Sequence, residues 1–153
     1  MTPAAQPSPD IRITRIYNAP RALVWEAWTD LAHVEKWWGP RGYTLTTHSK
    51  TLRVGGEWHY TMHGPDGTDY ENTTKYLEIV PLTKLVYDHG GHRDRPPLFR
   101  VTVVFSDLPG GKTKMDMIST LPTPEAAAQI RGFIRKAGGE STWDRLAEHL
   151  EKE

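Results

Sequence analysis

Carboxylates and imidazoles are the side chains that move protons or hold metals near neutral pH, so chemistry in this chain is sought first at Glu57, His59, His63 and Glu78. Glu57, His59 and His63 share one parity of the stretch from Glu57 to His63. Same-face neighbours on a strand stand about 7 Å apart, so they meet at one metal or one proton only if other segments converge on them. If the opposite parity (Trp58, Tyr60 and Met62) points inward, these three face water, and a solvated sheet face is the simpler account. Glu57, His59 and Glu78 are the nominees for a base if the chain is an enzyme, a lyase, cyclase or hydrolase acting on an apolar substrate. His89-x-x-His92, followed by Arg93 and Asp94, has a metal-like spacing. No cysteine, carboxylate pair or helical register supports it, so a surface loop is expected there, with a lid as its functional alternative. No metal and no cofactor are expected.

Other chemistries lack their residues. There is no cysteine, which rules out disulfides and thiolate metal sites and suits a reducing cytoplasm. The serines sit in no nucleophile-elbow pattern. Gly55-Gly56 lies between two strands, without the lysine and helix that a phosphate cradle needs. Basic and acidic residues balance at 19 each in 153 residues, so no single-sign field attracts nucleic acid or an anionic membrane. No apolar run is long enough to span a bilayer. Residues 1–9 hold three prolines and small polar residues, and read as a disordered tail before a single domain over 10–153.

The aromatic residues are more informative. Trp25, Trp28, Trp37 and Trp38 are four of the six tryptophans and crowd into one short stretch. Rings of that size are seldom placed without a packing or contact purpose. Trp58, Tyr60 and Met62 alternate on one strand face, as ordinary core or as the wall of a cavity. Trp38, Trp58, Tyr60, Met62, Asn72, Tyr76, Phe133 and Trp143 are the candidate ligand-binding residues, with Tyr60, Tyr76 and Asn72 offering the hydrogen bonds that orient a guest.

The elements that must position these groups follow from periodicity. Ile11, Ile13 and Ile16-Tyr17 suggest a first strand. Pro20 opens a helix carrying Leu23, Val24, Ala27 and Trp28; Asp30 ends it and caps a second short helix carrying Leu31, Val34, Trp37 and Trp38. Strands are expected over Tyr43 to Leu52, Glu57 to His63, Tyr70 to Val80, Lys84 to Asp88, Phe99 to Phe105 and Lys112 to Leu121. Gly64-Pro65-Asp66-Gly67 and Leu108-Pro109-Gly110-Gly111 are turns. In Tyr70 to Val80 both parities look buryable, which a bulge would reconcile. From Pro124 onward one long helix is preferred, running through Gly138-Gly139. Segregated elements of this kind give an α+β fold with an antiparallel sheet.

The series Val24-Trp25-Glu26-Ala27-Trp28-Thr29-Asp30, Trp37-Trp38-Gly39-Pro40, Gly55-Gly56-Glu57-Trp58, Gly64-Pro65-Asp66-Gly67, Tyr76-Leu77-Glu78-Ile79-Val80-Pro81 and Thr142-Trp143-Asp144-Arg145-Leu146 resembles the domain named after the activator of the heat-shock-protein-90 ATPase. That domain belongs to the START-like (SRPBCC) superfamily, and the likeness runs over roughly residues 11 to 150. It implies the helix-grip fold: a curved antiparallel sheet of six or seven strands around a long C-terminal helix, with two short helices after the first strand. It implies a cavity for a small apolar molecule, and catalysis in only a few members. It supplies no invariant catalytic set. Trp143 stands where an aliphatic residue is expected, which narrows the cavity. The related eukaryotic co-chaperones carry this domain inside larger proteins, whereas here it is expected to stand alone. The functional expectation is non-catalytic binding of a small apolar molecule. A homodimer or a chaperone partner is the protein-interaction alternative.

Overall fold

Alternation of apolar and polar residues builds one sheet. The structure, a computed structural model, describes residues 10–90, 98–136 and 141–152, and side chains for all of these but 133–136. The elements are β1 (Asp10–Tyr17), α1 (Arg21–Thr29), α2 (Leu31–Trp37), β2 (Thr44–Lys50), β3 (Glu57–His63), β4 (Asp69–Val80), β5 (Lys84–Gly90), β6 (Phe99–Leu108), β7 (Lys112–Thr120), α3 (Pro124–Lys136) and α4 (Ser141–Glu151). The seven strands lie in the order β1-β7-β6-β5-β4-β3-β2 and every pairing is antiparallel. From β2 to β7 the chain is a meander, and β1 returns to pair with β7. This is the helix-grip arrangement that the sequence implied.

Local chemistry sets the joints. Asp30 is extended between α1 and α2, and its side chain accepts from the Ala32 N–H at 2.9 Å, so one residue both ends a helix and caps the next. The β3–β4 hairpin closes through Gly67, whose φ of +86° a side chain would resist. The Asp66 carboxylate accepts from the Thr68 N–H at 2.9 Å beside it. In β4 the register shifts between Tyr76 and Glu78, leaving Leu77 as an extra residue. That bulge places both Tyr76 and Ile79 against the core, which a regular alternation forbids. Its partner is the turn before β3: Gly55 N–H donates to the Tyr76 carbonyl, and Tyr76 N–H donates to that of Gly56. A Cβ on Gly56 would collide with the Thr51 carbonyl oxygen.

The core is aromatic. Trp28 packs edge-on against both Trp37 and Trp38 (ring centres at 5.4 and 5.5 Å) and stacks on Trp143 of α4 at 5.7 Å and 15°. Trp58 and Tyr60 are buried and stacked at 4.2 Å on the inner face of β3. Leu146 and Leu150 bring α4 into the same core, and the Tyr17 hydroxyl donates to the Trp143 carbonyl at 3.3 Å. The expectation of one unbroken C-terminal helix turns on Gly138-Gly139, which lie outside the described residues; α3 and α4 are the helical stretches to either side.

Candidate functional site

Between the inner face of the sheet and the C-terminal helices lies a cavity of about 390 Å³. Its floor comes from alternate residues of three adjacent strands: Ile11 and Ile13 of β1, Met117 and Ser119 of β7, and Phe99 and Val101 of β6. The pairings Ile13 with Met117, Ile11 with Ser119 and Ser119 with Val101 bring these side chains into register. Tyr87 and His89 continue the floor on β5, and Ile130 of α3 and Trp143 of α4 form the roof. The connection from α2 to β2 adds Trp38, Gly39, Pro40 and Tyr43 at one side, facing Met62 and Tyr70. Gly39 has a φ of +95°, which a side chain would resist, and its missing Cβ leaves room for the methyl end of Met62.

A few polar groups interrupt this apolar lining. His89 is half-buried, with its ring 4.9 Å from that of Phe99. Desolvation lowers its pKa to about 4, so at neutral pH it is an uncharged imidazole that can give one hydrogen bond and accept another. Burial raises the Tyr87 hydroxyl well above its ordinary value, which keeps it protonated. Asn72 is buried and donates to the Tyr70 carbonyl at 3.0 Å, leaving its side-chain oxygen as an acceptor. Ser119 is buried on the floor.

Of the ligand-binding residues expected from sequence, Trp38, Met62, Asn72 and Trp143 line this cavity. Trp58, Tyr60 and Tyr76 lie on the same side of the sheet but are core beneath it, not wall. Tyr60 acts on the wall indirectly, because its hydroxyl accepts from the Trp38 indole N–H at 2.9 Å. Tyr76 packs under the Lys50 ammonium, 5.6 Å from the ring centre. Phe133 lies in α3, and its side chain is outside the described residues. The nominated bases are elsewhere. Glu57 and His59 share the outer face of β3, 3.5 Å apart, with His59 bonded to the Thr73 hydroxyl at 3.3 Å. Glu78 pairs with Lys84 at 3.2 Å. None of the three lines the cavity.

His89 corrects the sequence reading. It was assigned to a surface loop, but β5 runs on to Gly90 and carries it onto the cavity floor. The signal was available in the period-two series Leu85, Tyr87, His89, cut short by ending the strand at Asp88. His92 lies outside the described residues. A second hollow, of about 430 Å³, opens beside α4 among Lys36, Arg41, Arg145, Glu148, His149 and Lys152. Both of its arginines are already engaged. Arg41 forks onto Glu148 at 2.9 and 2.7 Å, and Arg145 donates to the carbonyls of Gly39 (2.8 Å), Pro40 (3.0 Å) and Lys36 (3.0 Å). The apolar cavity is therefore the better candidate site.

Residues 18–151 match the family model described as Activator of Hsp90 ATPase homolog 1-like protein. The chain belongs to this family. Proteins of known structure share its fold. A protein from Mycobacterium smegmatis is 25% identical, with 95% of this chain and 92% of that one covered and a TM-score of 0.84. One from Arthrobacter aurescens is 25% identical, with 95% and 88% covered and a TM-score of 0.85. One from Nitrosomonas europaea is 22% identical, with 94% of each chain covered and a TM-score of 0.82. No curated protein matches the chain in sequence. In this Hsp90-activator-like chain, Trp38-Gly39-Pro40 lies within the matched residues and forms one wall of the cavity.

Proposed function

We propose that this protein binds a small, largely apolar molecule in the cavity between its sheet and its C-terminal helices. The observation that carries this reading is a hollow of about 390 Å³ whose floor and roof are mostly aliphatic, aromatic and thioether side chains. A volume of that order is typical of small-molecule sites. Burial there is rewarded at about 25 cal/mol per Å² of apolar surface. Asn72, Ser119 and His89 supply the few hydrogen bonds that fix orientation. Arginine and lysine are absent from the described lining, so the site favours an uncharged guest over an anion.

Ligand binding accounts for this lining better than catalysis does. Glu57, His59 and Glu78 do not reach the cavity, and an imidazole of pKa about 4 is a weak base at neutral pH. His89 is therefore a hydrogen-bonding group in this proposal. The chaperone or homodimer alternative draws no support from the cavity, whose apolar surface is turned inward.

The test is native mass spectrometry of protein taken gently from its host, alongside titration of the tryptophan emission. Trp38 and Trp143 form part of the wall, so a guest should displace water from them and shift their emission. A co-purifying small molecule that is lost when the cavity is filled by substitution supports the proposal. Protein that is empty, and whose emission is unmoved by a panel of apolar compounds, overturns it.

A further inference from the structure

A second site lies outside the cavity, at the joint between α1 and α2. Glu26 is in the last turn of α1, Asp30 is the extended residue between the helices, and His33 is in the first turn of α2. The break at Asp30 turns the three side chains toward one another. Each offers a donor atom, and these atoms all lie within 4.8 Å of one another. His33 Nε2 is 3.3 Å from Glu26 Oε1. On its other side, His33 Nδ1 is 2.9 Å from Nε2 of His149 on α4.

We propose that Glu26, Asp30 and His33 bind a divalent transition-metal cation of the zinc type, with His149 as the positioning residue behind His33. Two carboxylates balance the cation's charge, and an imidazole beside them selects zinc, cobalt or nickel over calcium or magnesium. Metal–donor distances of about 2.0–2.2 Å require the three donors to close in by some tenths of an ångström, which the exposed Glu26 and Asp30 are free to do. Two ring nitrogens at 2.9 Å must share one proton. With Nδ1 of His33 donating to His149, Nε2 keeps its lone pair for the metal, as a ligating histidine held from behind requires. Asp30 Oδ1 is bonded to the Ala32 N–H, which holds the carboxylate in place at the joint. Lys50, bonded to the Thr29 carbonyl at 2.6 Å, brings a positive charge close to Asp30 that competes with the cation. Linear spacing did not single these residues out, because Glu26 and His33 belong to different helices.

The experiment is calorimetric titration of the full chain with Zn²⁺, paired with Co²⁺-induced broadening of histidine ring signals. Saturable uptake of one Zn²⁺, a loss of about 10-fold or more in affinity in the E26Q/D30N variant, and broadening centred on His33 are expected. His149→Leu should weaken binding by a similar factor, and His149→Gln, which keeps an acceptor behind His33, should recover most of it. Absence of saturable uptake, unchanged affinity in E26Q/D30N, or broadening centred on His48, His59 and His63 of the sheet would overturn the proposal. Circular dichroism of each variant separates loss of the site from loss of the fold.

Discussion

His89 is held between the Phe99 ring and the cavity, where desolvation lowers its pKa to about 4. In the unfolded chain a histidine titrates near 6.5. Folding therefore favours the neutral ring, and the stability this contributes is fully present above about pH 6.5. It is lost as the pH falls toward 4, because the unfolded chain binds the extra proton first. Between pH 7 and pH 4 the wild type should lose about 2 kcal/mol more than His89→Gln, measured by urea unfolding. That is less than the full shift implies, since the side chain keeps some contact with solvent. Equal losses in the two proteins would mean that water reaches the ring freely. Trp58 makes the opposite case, a large buried group that does not itself line the cavity. It is 2% exposed and stacked on Tyr60, and Trp58→Ala should cost about 3–5 kcal/mol in thermal or urea unfolding. At this scale the sequence was readable for burial and poor at separating cavity lining from packed core. Trp58, Tyr60 and Met62 share one parity, and only Met62, toward the end of the strand, reaches the hollow. That distinction depends on how far along the strand the helices cover it, which periodicity does not encode.

Arg145 connects elements far apart in sequence. It projects from α4 into the end of α2 and the connection that follows, where the helix leaves its last carbonyls without intrahelical donors. A guanidinium with five N–H groups satisfies several of these oxygens at once and also meets the negative end of the helix dipole. The same connection carries Trp38, Gly39 and Pro40, so α4 holds one wall of the cavity in position through this side chain. Arg145→Met keeps much of the bulk and removes the donors. It should destabilise by about 2–3 kcal/mol and shift the indole N–H signal of Trp38 in NMR spectra. An unshifted Trp38 signal would show that the wall is held by packing alone. The elements themselves were largely legible, because alternation and the turn residues mark strands and their ends. The β4 bulge was foreseen from the competition between Tyr76 and Ile79 for the core. The length of β5 was not, because His89-Gly90 reads as loop composition, although β6 pairs as far as His89. The joint at Glu26, Asp30 and His33 went unread as well, since its convergence depends on the angle between two helices.

The whole molecule is a curved antiparallel sheet covered by helices, in which part of the covered volume is filled by aromatic rings and part is left as a cavity. The two parts meet part-way along the strands, and on β6 this allows a sharp comparison. Val101 and Val103 are neighbours on the inner face of β6 and equally buried, at 1% and 0% exposure. Val101 lines the cavity and Val103 does not. In a close-packed core, an enlarged side chain forces its neighbours off their rotamers at a cost of about 1–3 kcal/mol. Beside a cavity the same atoms enter vacant space and gain contacts. Val103→Phe should therefore destabilise by about 1–3 kcal/mol, whereas Val101→Phe should leave unfolding free energy unchanged or slightly raised. Val101→Phe should also abolish the ligand-induced change in tryptophan emission, at no cost in stability. Losses of equal size in the two variants would mean that the sheet and helices close tightly on each other, and the binding function inferred from the space between them would fall with it.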